Sequence, residues 1–175
     1  MATSIFSRKR DLVYLMFFIT HIPVMLAFDL TGYYPISIQR PWMTDLRTWY
    51  FAKYGDRFFA GPAPPPWFTL FMLLEFVFHL PVALWAIPAL LRNDPRIPLA
   101  LLVFGLETSI TTLVCVAEML SWDELTPAQK GLGGLGGTYG GYLALSLFMS
   151  VDCYARLDRI LSREKGIEPI SKKDL

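Results

Sequence analysis

Net charge and cysteine are the two things this sequence has little of. Its 16 Lys and Arg against 15 Asp and Glu leave a formal net charge of +1. No surface with so small a basic excess neutralises a run of phosphates, which excludes nucleic-acid binding as a function class. Cys115 and Cys153 are its only cysteines, and neither belongs to a CxxC or Cys/His pattern. The sequence therefore predicts no disulfide framework, no metal site and no cofactor.

Apolar residues are abundant instead: 54% of the chain is hydrophobic and 18% is charged, a balance typical of membrane proteins. Four apolar runs approach or exceed the ~20 residues that cross a ~30 Å hydrocarbon core. They cover residues 12–30, 67–91, 97–120 and 132–154. This pattern predicts an all-α integral membrane four-helix bundle, a single domain over residues 1–175 with a cytosolic tail at 157–175.

The distribution of basic residues predicts the orientation of the bundle. Eleven of the sixteen Lys and Arg lie in the N-terminal segment, the 92–96 turn and the C-terminal tail. Positive charge favours the cytosolic side, so both termini are expected there. The segment 31–66 contains Trp42, Trp49, Tyr50 and Tyr54, which predicts a lumenal layer at the membrane interface. A plain connecting loop with interfacial aromatic anchors is the alternative.

Several carboxylates fall inside the predicted spans, where each costs about 2.5–3.5 kcal/mol without a partner. Asp29 is expected near the lumenal end of the first span, Glu75 roughly 12 Å inside the second and Glu107 near the middle of the third. The inner parts of the spans contain no Lys or Arg. We therefore expect Asp29 and Glu75 to form a pair that shares a proton, with Asp29 ionised and ready to receive a cation. Alternatively, the acids bond to His21, His79 or threonines and only hold the bundle together.

The glycine run at 131–142 formally contains GxGxxG, but no strand precedes it, so a dinucleotide site is not expected. Its small-xxx-small pairs, Gly133 with Gly137 and Gly137 with Gly141, predict close helix approach within the chain or between copies.

Four stretches of this sequence resemble a known family: FFITHIPVMLAFDL at 17–30, WYFAKYGD at 49–56, PPWFTLFMLLEFVFHLP at 65–81 and TTL at 111–113. They resemble the sigma-2 receptor (transmembrane protein 97) family of the EXPERA superfamily, which also holds the emopamil-binding sterol isomerase. The chain resembles a fungal member of this family, of the efficient mitochondria targeting-associated type. The resemblance implies a four-helix endoplasmic-reticulum protein, a homodimer, with a cavity that opens to the membrane lipids and takes sterols or cationic amphiphiles.

The resemblance also assigns roles to residues. It implies that Asp29 is the ligand-contacting acid, Glu75 its partner acid and Asp56 a structural acid of the lumenal loop. Pocket-lining positions fall on His21, Thr112 and Tyr142. His79, where relatives carry an amide, and Glu107, an additional acid, depart from the family and complete the candidate ligand-binding set. Lys172 and Lys173 look like a cytosolic dilysine retrieval signal.

Three functions follow from these observations. The leading interpretation is a non-enzymatic binding protein in lipid and sterol homeostasis. The first alternative is a factor that aids delivery of mitochondrial precursor proteins over the endoplasmic-reticulum surface. The second is a sterol isomerase-like enzyme in which Glu75, His79 and Glu107 transfer protons. A channel or transporter is disfavoured, because four spans without repeat symmetry offer no transport path.

Overall fold

The computed structural model describes residues 4–59 and 64–164, and the regular structure in these ranges is helical. The α-helices are α1 (Lys9–Ala27), α2 (Pro41–Tyr54), α3 (Pro66–Leu74), α4 (Leu80–Arg92), α5 (Ile97–Leu120), α6 (Pro127–Lys130) and α7 (Leu135–Glu164). Short 3-10 turns form at Ile5–Ser7 and Asp29–Tyr33, and a π-helical turn at Glu75–His79 joins α3 to α4. The predicted all-α fold is confirmed. Lys172 and Lys173 lie outside the described residues.

Three helical stretches are long and apolar enough to cross a membrane: Lys9–Tyr33, Pro66–Arg92 and Ile97–Leu120. Their outward faces are exposed and apolar, which water would not tolerate and lipid would. On the second stretch alone these exposed residues are Leu70, Leu73, Phe76, Val77, Leu84 and Leu91. The first three predicted spans therefore agree with the structure. The fourth falls in α7, which does not reach the same apolar length, and it stays a prediction.

The bundle is built from two extensive helix pairs, α1 with α4 and α5 with α7. The second pair packs tightly at Gly105 of α5. A Cβ at this position would lie 2.6 Å from the hydroxyl of Ser150 and 2.9 Å from the carbonyl oxygen of Ser146. Next to it, Ser109 donates a hydrogen bond of 2.9 Å to the Ser146 hydroxyl. Small residues thus bring α5 and α7 together, as is usual between membrane helices.

The predicted glycine pairs do not make this approach. Gly137 packs against the backbone of the preceding turn, and a Cβ at Gly133 or Gly141 would meet no atom within 4 Å. Within the chain, the expectation that these glycines bring helices together is therefore wrong. The reason is that the helix begins only at Leu135, so the first half of the run forms a turn. Close approach between two copies stays a prediction.

Paired carboxylates join α1 to α7 at the end of the bundle where α1 begins. Asp152 is buried and accepts hydrogen bonds from Tyr14 (2.8 Å), Arg10 (2.5 Å) and Arg156 (2.7 Å). Arg156 also donates to Asp11 over 2.5 Å. Each of these acids faces at least one arginine, which offsets the cost of burying its charge.

The opposite end of the bundle is covered by α2, which buries no residue of its own and exposes Trp42 and Trp49. This is the pattern of a helix lying at a membrane interface, and it corresponds to the layer predicted between the first two spans. The helix ends at Gly55, whose φ of 71° is left-handed and favours glycine. The chain then turns inward at Asp56.

Asp56 is fully buried and fastens this covering layer to α7. It accepts hydrogen bonds from the Tyr139 hydroxyl (2.7 Å), the Tyr50 hydroxyl (3.3 Å) and the backbone N–H of Phe58 (3.1 Å). Burial raises the pKa of Asp56, and the three hydrogen bonds oppose that rise. The three donors belong to α2, the following loop and α7, so Asp56 links these three parts of the chain.

Candidate functional site

The site begins with the π-helical turn in the second membrane-spanning stretch. Pro81 has no N–H to donate, and Leu80 donates its own to the carbonyl oxygen of Glu75, five residues earlier. The turn is therefore wider than an α-helical one, a feature often found at functional sites. Glu75 and His79 stand at its two ends, and both line one cavity.

This cavity has a volume of about 550 Å³ and a largely apolar wall, as is usual for small-molecule sites. One side is formed by Phe68, Met72 and Cys115, which belong to the hydrophobic cluster beneath α2. On the other side the ring of His79 packs on Phe104, with centroids 4.6 Å apart. The polar residues of the wall are Asp29, Tyr50, Glu75, His79, Glu107, Thr108, Thr111, Thr112, Thr138, Tyr139 and Tyr142.

Asp29 lies at the rim of this cavity, where α1 gives way to its terminal 3-10 turn. It also borders a second, more polar cavity of about 730 Å³ on the α2 side, together with Thr31 and Arg47. Asp29 is thus the acid that faces both spaces. Its predicted place near the end of the first span agrees with this position.

Arg47 of α2 is the functional neighbour that the sequence did not reveal. Its guanidinium donates to the Thr31 hydroxyl and to the carbonyl oxygen of Phe59, each over 3.3 Å, and its charge acts on Asp29. Burial lowers the pKa of Arg47, and the Asp29 carboxylate opposes that shift. The membrane spans contain no Lys or Arg in their inner parts. Asp29 nevertheless has a basic neighbour, because Arg47 reaches it from the covering helix α2.

A periodicity signal could have identified Arg47. Positions 47, 50 and 54 fall on one face of a helix, and Tyr50 and Tyr54 pack on the hydrophobic cluster beneath α2. The same face carries Arg47 toward the bundle.

Glu75 has very different surroundings from Asp29. Its Oε2 atom is shut off from solvent and has no hydrogen-bond partner among the described residues. The charges of Asp29 and Glu107 both act on it, so the two predicted partner acids, Asp29 and Glu75, are electrostatic neighbours on one cavity. A buried acceptor left without a donor is costly, and this favours a proton or a ligand at this position.

The two histidines each have a specific partner. His79 Nε2 forms a hydrogen bond with Glu107, and His21 Nδ1 forms one with the Tyr142 hydroxyl. His21 also stacks on Phe17, with centroids 5.0 Å apart. The ligating atoms of His21, Glu75 and His79 all lie within 4.8 Å of one another. The structure therefore assembles two imidazoles and one carboxylate from two different helices.

Of the eight candidate ligand-binding residues, six line the cavity: Asp29, Glu75, His79, Glu107, Thr112 and Tyr142. His21 and Asp56 do not. His21 lies one layer behind, bonded to Tyr142, and Asp56 lies in the covering layer, bonded to Tyr139. Each of the two is therefore linked to the cavity wall through a tyrosine that lines it.

Comparison with known families adds to this geometry. The family model described as EXPERA (EXPanded EBP superfamily) matches residues 42–153, which run from α2 through most of α7. The chain belongs to the EXPERA family. The family resemblance read from the sequence is thereby confirmed.

Two similar EXPERA proteins cover most of the chain. Sigma intracellular receptor 2 of Xenopus tropicalis is 26% identical over 150 residues, which are 82% of this chain and 86% of that protein. Efficient mitochondria targeting-associated protein 19 of Schizosaccharomyces pombe is 28% identical over 149 residues, 84% of this chain and 76% of that one. The human Sigma intracellular receptor 2 is 27% identical over 115 residues, covering 65% of this chain and 64% of the human protein. These names fit a non-enzymatic EXPERA membrane protein.

Proposed function

We propose that this EXPERA protein binds sterols or cationic amphiphiles in its intramembrane cavity and acts in lipid and sterol homeostasis. One observation carries the proposal: Asp29 and Glu75 line the same largely apolar cavity of about 550 Å³. An apolar wall with a few converging polar groups suits an amphiphilic ligand. Similar proteins named Sigma intracellular receptor 2 support this function.

The two acids take different roles in this proposal. Asp29, at the rim, is the ionised counter-ion for the positive end of the ligand. Glu75, deeper and without a donor to its Oε2, keeps a proton and fixes the orientation of Asp29 or the ligand. Arg47 already acts on Asp29, so the ligand's ammonium group must share Asp29 with that guanidinium or displace it. The apolar body of the ligand packs on Phe68 and Met72.

The cellular setting is part of the proposal. The protein resides in the endoplasmic-reticulum membrane as a homodimer, with α7 as the fourth span and both termini in the cytosol. The bias of Lys and Arg toward one side of the spans supports this orientation. Retrieval by Lys172 and Lys173 would keep the protein in that compartment.

The decisive test compares a charged ligand with its neutral isostere. Purified chain in lipid nanodiscs is titrated with a radiolabelled aromatic amphiphile that carries a tertiary amine, and with the same molecule in which carbon replaces nitrogen. Loss of a hydrogen bond to a charged group costs about 1.5–3 kcal/mol, so Asp29→Asn should weaken amine binding about 10- to 100-fold. The carbon isostere should bind wild type and variant alike.

Asp45→Asn is the matched control, since Asp45 is an exposed acid of α2 that does not line the cavity. It should bind the amine as wild type does. Equal amine affinity of wild type and Asp29→Asn would contradict the proposal. Lipids that co-purify with wild type but not with the Asp29→Asn, Glu75→Gln double variant would identify the natural ligand by mass spectrometry.

A second candidate is proton transfer to and from a sterol, favoured by one observation. His79 and Glu107 are hydrogen-bonded to each other and line the cavity together with Glu75, so a donor and an acceptor face the same space. If this function holds, the chain restores growth to cells lacking sterol Δ8–Δ7 isomerase, and His79→Gln does not. Failure of the wild-type chain to complement would leave binding as the function.

Delivery of mitochondrial precursors is supported by the name of the Schizosaccharomyces pombe relative. In that case substitutions in the basic segment 156–173 should impair precursor delivery, and Asp29→Asn should not.

A further inference from the structure

We propose that His21, Glu75 and His79 form a binding site for a divalent transition-metal ion of the zinc class at the inner end of the cavity. Their ligating atoms lie within 4.8 Å of one another, and the residues come from α1 and from the π-helical turn. The chain contains two histidines, and both are in this cluster. The two proposals share Glu75, because a Glu75 bound to an ion gives up the proton that it keeps in the metal-free site. Asp29, the counter-ion of the proposed amphiphile function, is not one of the three ligands, so the two functions can be tested separately.

The donor set fits zinc. Two imidazoles and one carboxylate are a common three-ligand set for this ion, with a fourth position left to water or a ligand. Ligand atoms about 2.1 Å from a tetrahedral ion lie about 3.4 Å apart, so modest side-chain rotation closes the observed cluster around an ion. An imidazole–carboxylate set also discriminates against magnesium and calcium, which prefer oxygen ligands alone.

The surroundings orient the two imidazoles as a metal site requires. A metal-ligating histidine usually bonds through its second ring nitrogen to a carboxylate or another polar group. His79 bonds to Glu107 through Nε2, which leaves its Nδ1 for an ion. The Tyr142 hydroxyl lies against both ring nitrogens of His21, nearer Nδ1 and 3.2 Å from Nε2, so an ion at Nε2 would replace only the longer of these two contacts. Glu107 and Tyr142 are therefore the positioning residues of the proposed site.

Electrostatics independently favour a cation here. Glu75 Oε2 and Glu107 Oε1 are both shut off from solvent and have no hydrogen-bond partner in the part of the chain that the structure describes. No Lys or Arg is found among the described residues that line this cavity. A divalent ion bound to Glu75 would satisfy its unpaired oxygen and offset the excess of buried acid.

Sequence spacing alone does not reveal this site. Glu75 and His79 are four residues apart, a spacing also common in ordinary helices, and the third ligand lies 54 residues earlier on another helix. A zinc site that is assembled by helix packing does not require a Cys/His pattern in the sequence, so the absence of such a pattern does not exclude it.

The test measures metal content directly. The full-length chain, purified in detergent with a tag that contains no histidine, is stripped with EDTA and equilibrated with micromolar ZnCl2, and its zinc is counted by mass spectrometry. We expect about one zinc ion per wild-type chain and loss of that ion in His79→Gln and Glu75→Gln. Glu107→Gln should weaken zinc binding about 10- to 100-fold, since it removes only the positioning partner.

Two variants separate this proposal from the amphiphile function. Asp29→Asn should keep the zinc while losing affinity for the amine, and Asp45→Asn should keep both. A wild-type chain that binds the amine but no zinc would overturn the metal site alone. Zinc bound equally by wild type and His79→Gln would also overturn it, because the ion would then lie elsewhere.

If the variants do not fold, X-ray absorption at the zinc edge of the wild-type protein identifies the metal ligands without them. The zinc edge should show imidazole nitrogens at about 2.0–2.1 Å with the multiple scattering of histidine rings. A shell made of oxygen alone would contradict the assignment.

Discussion

Glu75 and Asp152 are both acids on helices of the bundle, yet their surroundings differ completely. The side chain of Asp152 is 2% exposed and accepts from Tyr14, Arg10 and Arg156. Glu75 Oε2 is equally shut off but accepts from no described residue. Satisfied buried acids stabilise packing, whereas an unsatisfied one facing a cavity is a candidate for binding or chemistry. The number of hydrogen-bond donors around each carboxylate, more than its position along the helix, distinguishes Asp152 from Glu75.

Asp56 gives a pH dependence with a definite sign. Burial raises its pKa above the ordinary value of 3.8, so the folded state takes up the proton more readily than the unfolded state. This shift contributes its full stabilisation at a pH below the pKa that Asp56 has in the unfolded state. The contribution is lost as the pH rises through the pKa that Asp56 has in the folded state. We expect the unfolding temperature of wild type, relative to Asp56→Asn, to increase as the pH falls from about 7 to about 4.

Asparagine is the matched replacement because it keeps an acceptor for the tyrosine hydroxyls and does not titrate. Asp56→Ala removes the acceptor, leaves two buried hydroxyls unpaired and should cost about 1–3 kcal/mol at every pH. A difference between wild type and Asp56→Asn that shrinks on acidification would show that the carboxylate is stabilised in its charged form.

Among the helices, the contact of α5 with α7 is the most sensitive to volume. In Gly105→Ala the new Cβ would meet the carbonyl oxygen of Ser146 at 2.9 Å, and a backbone atom does not move aside cheaply. We expect a loss of about 1–3 kcal/mol in stability, measured as reversible unfolding in detergent.

Gly140→Ala is the control for that substitution, since a Cβ there meets nothing within 4 Å. Alanine forms helices better than glycine, so this variant should be neutral or more stable by up to about 1 kcal/mol. Equal losses at both positions would indicate that the α5–α7 contact is looser than the structure shows.

Hydropathy located three helical stretches well, because lipid demands long apolar runs whatever the packing. The predicted spans at 67–91 and 97–120 correspond to the helical stretches Pro66–Arg92 and Ile97–Leu120. The predicted fourth span, 132–154, overlaps α7, and it stays a prediction. Its first three residues belong to a turn, and α7 continues ten residues past its end into polar sequence up to position 164.

The site was predicted less completely. Residue chemistry identified the acids that line the cavity, because charge inside a span is costly wherever it occurs. The hydrogen bond between His79 and Glu107 depends on the rotation of two helices, one of them widened by the π-helical turn. Arg47 lies outside the spans, on α2, so the absence of Lys and Arg from the inner parts of the spans did not predict it. Pairings across helices are set by packing, which a single sequence does not specify.

At the scale of the whole molecule, the two cysteines report on the cavity. Cys115 lines it, whereas Cys153 is fully buried in the cluster between α1, α4 and α5. On a Cys153→Ser background, the tertiary-amine amphiphile should slow alkylation of Cys115 by a small maleimide several-fold, because it fills the space through which the reagent arrives. The rate is followed by intact-protein mass spectrometry.

The reverse variant is the control: on a Cys115→Ser background, Cys153 should react slowly with or without the amphiphile. Protection of Cys153, or no protection of Cys115, would place the amphiphile outside the cavity.

Acids with several donors fasten α7 near both of its ends, at Asp56 through Tyr139 and at Asp152 through Tyr14 and Arg156. Between those two anchors the carboxylates of Glu75 and Glu107 retain unused oxygens. The helical bundle is therefore fixed by hydrogen bonds and ion pairs near both ends of α7, and its unpaired carboxylate oxygens lie between those ends. If the cavity binds amphiphiles as proposed, the position of a ligand's positive charge relative to these oxygens should decide selection more than the ligand's shape does.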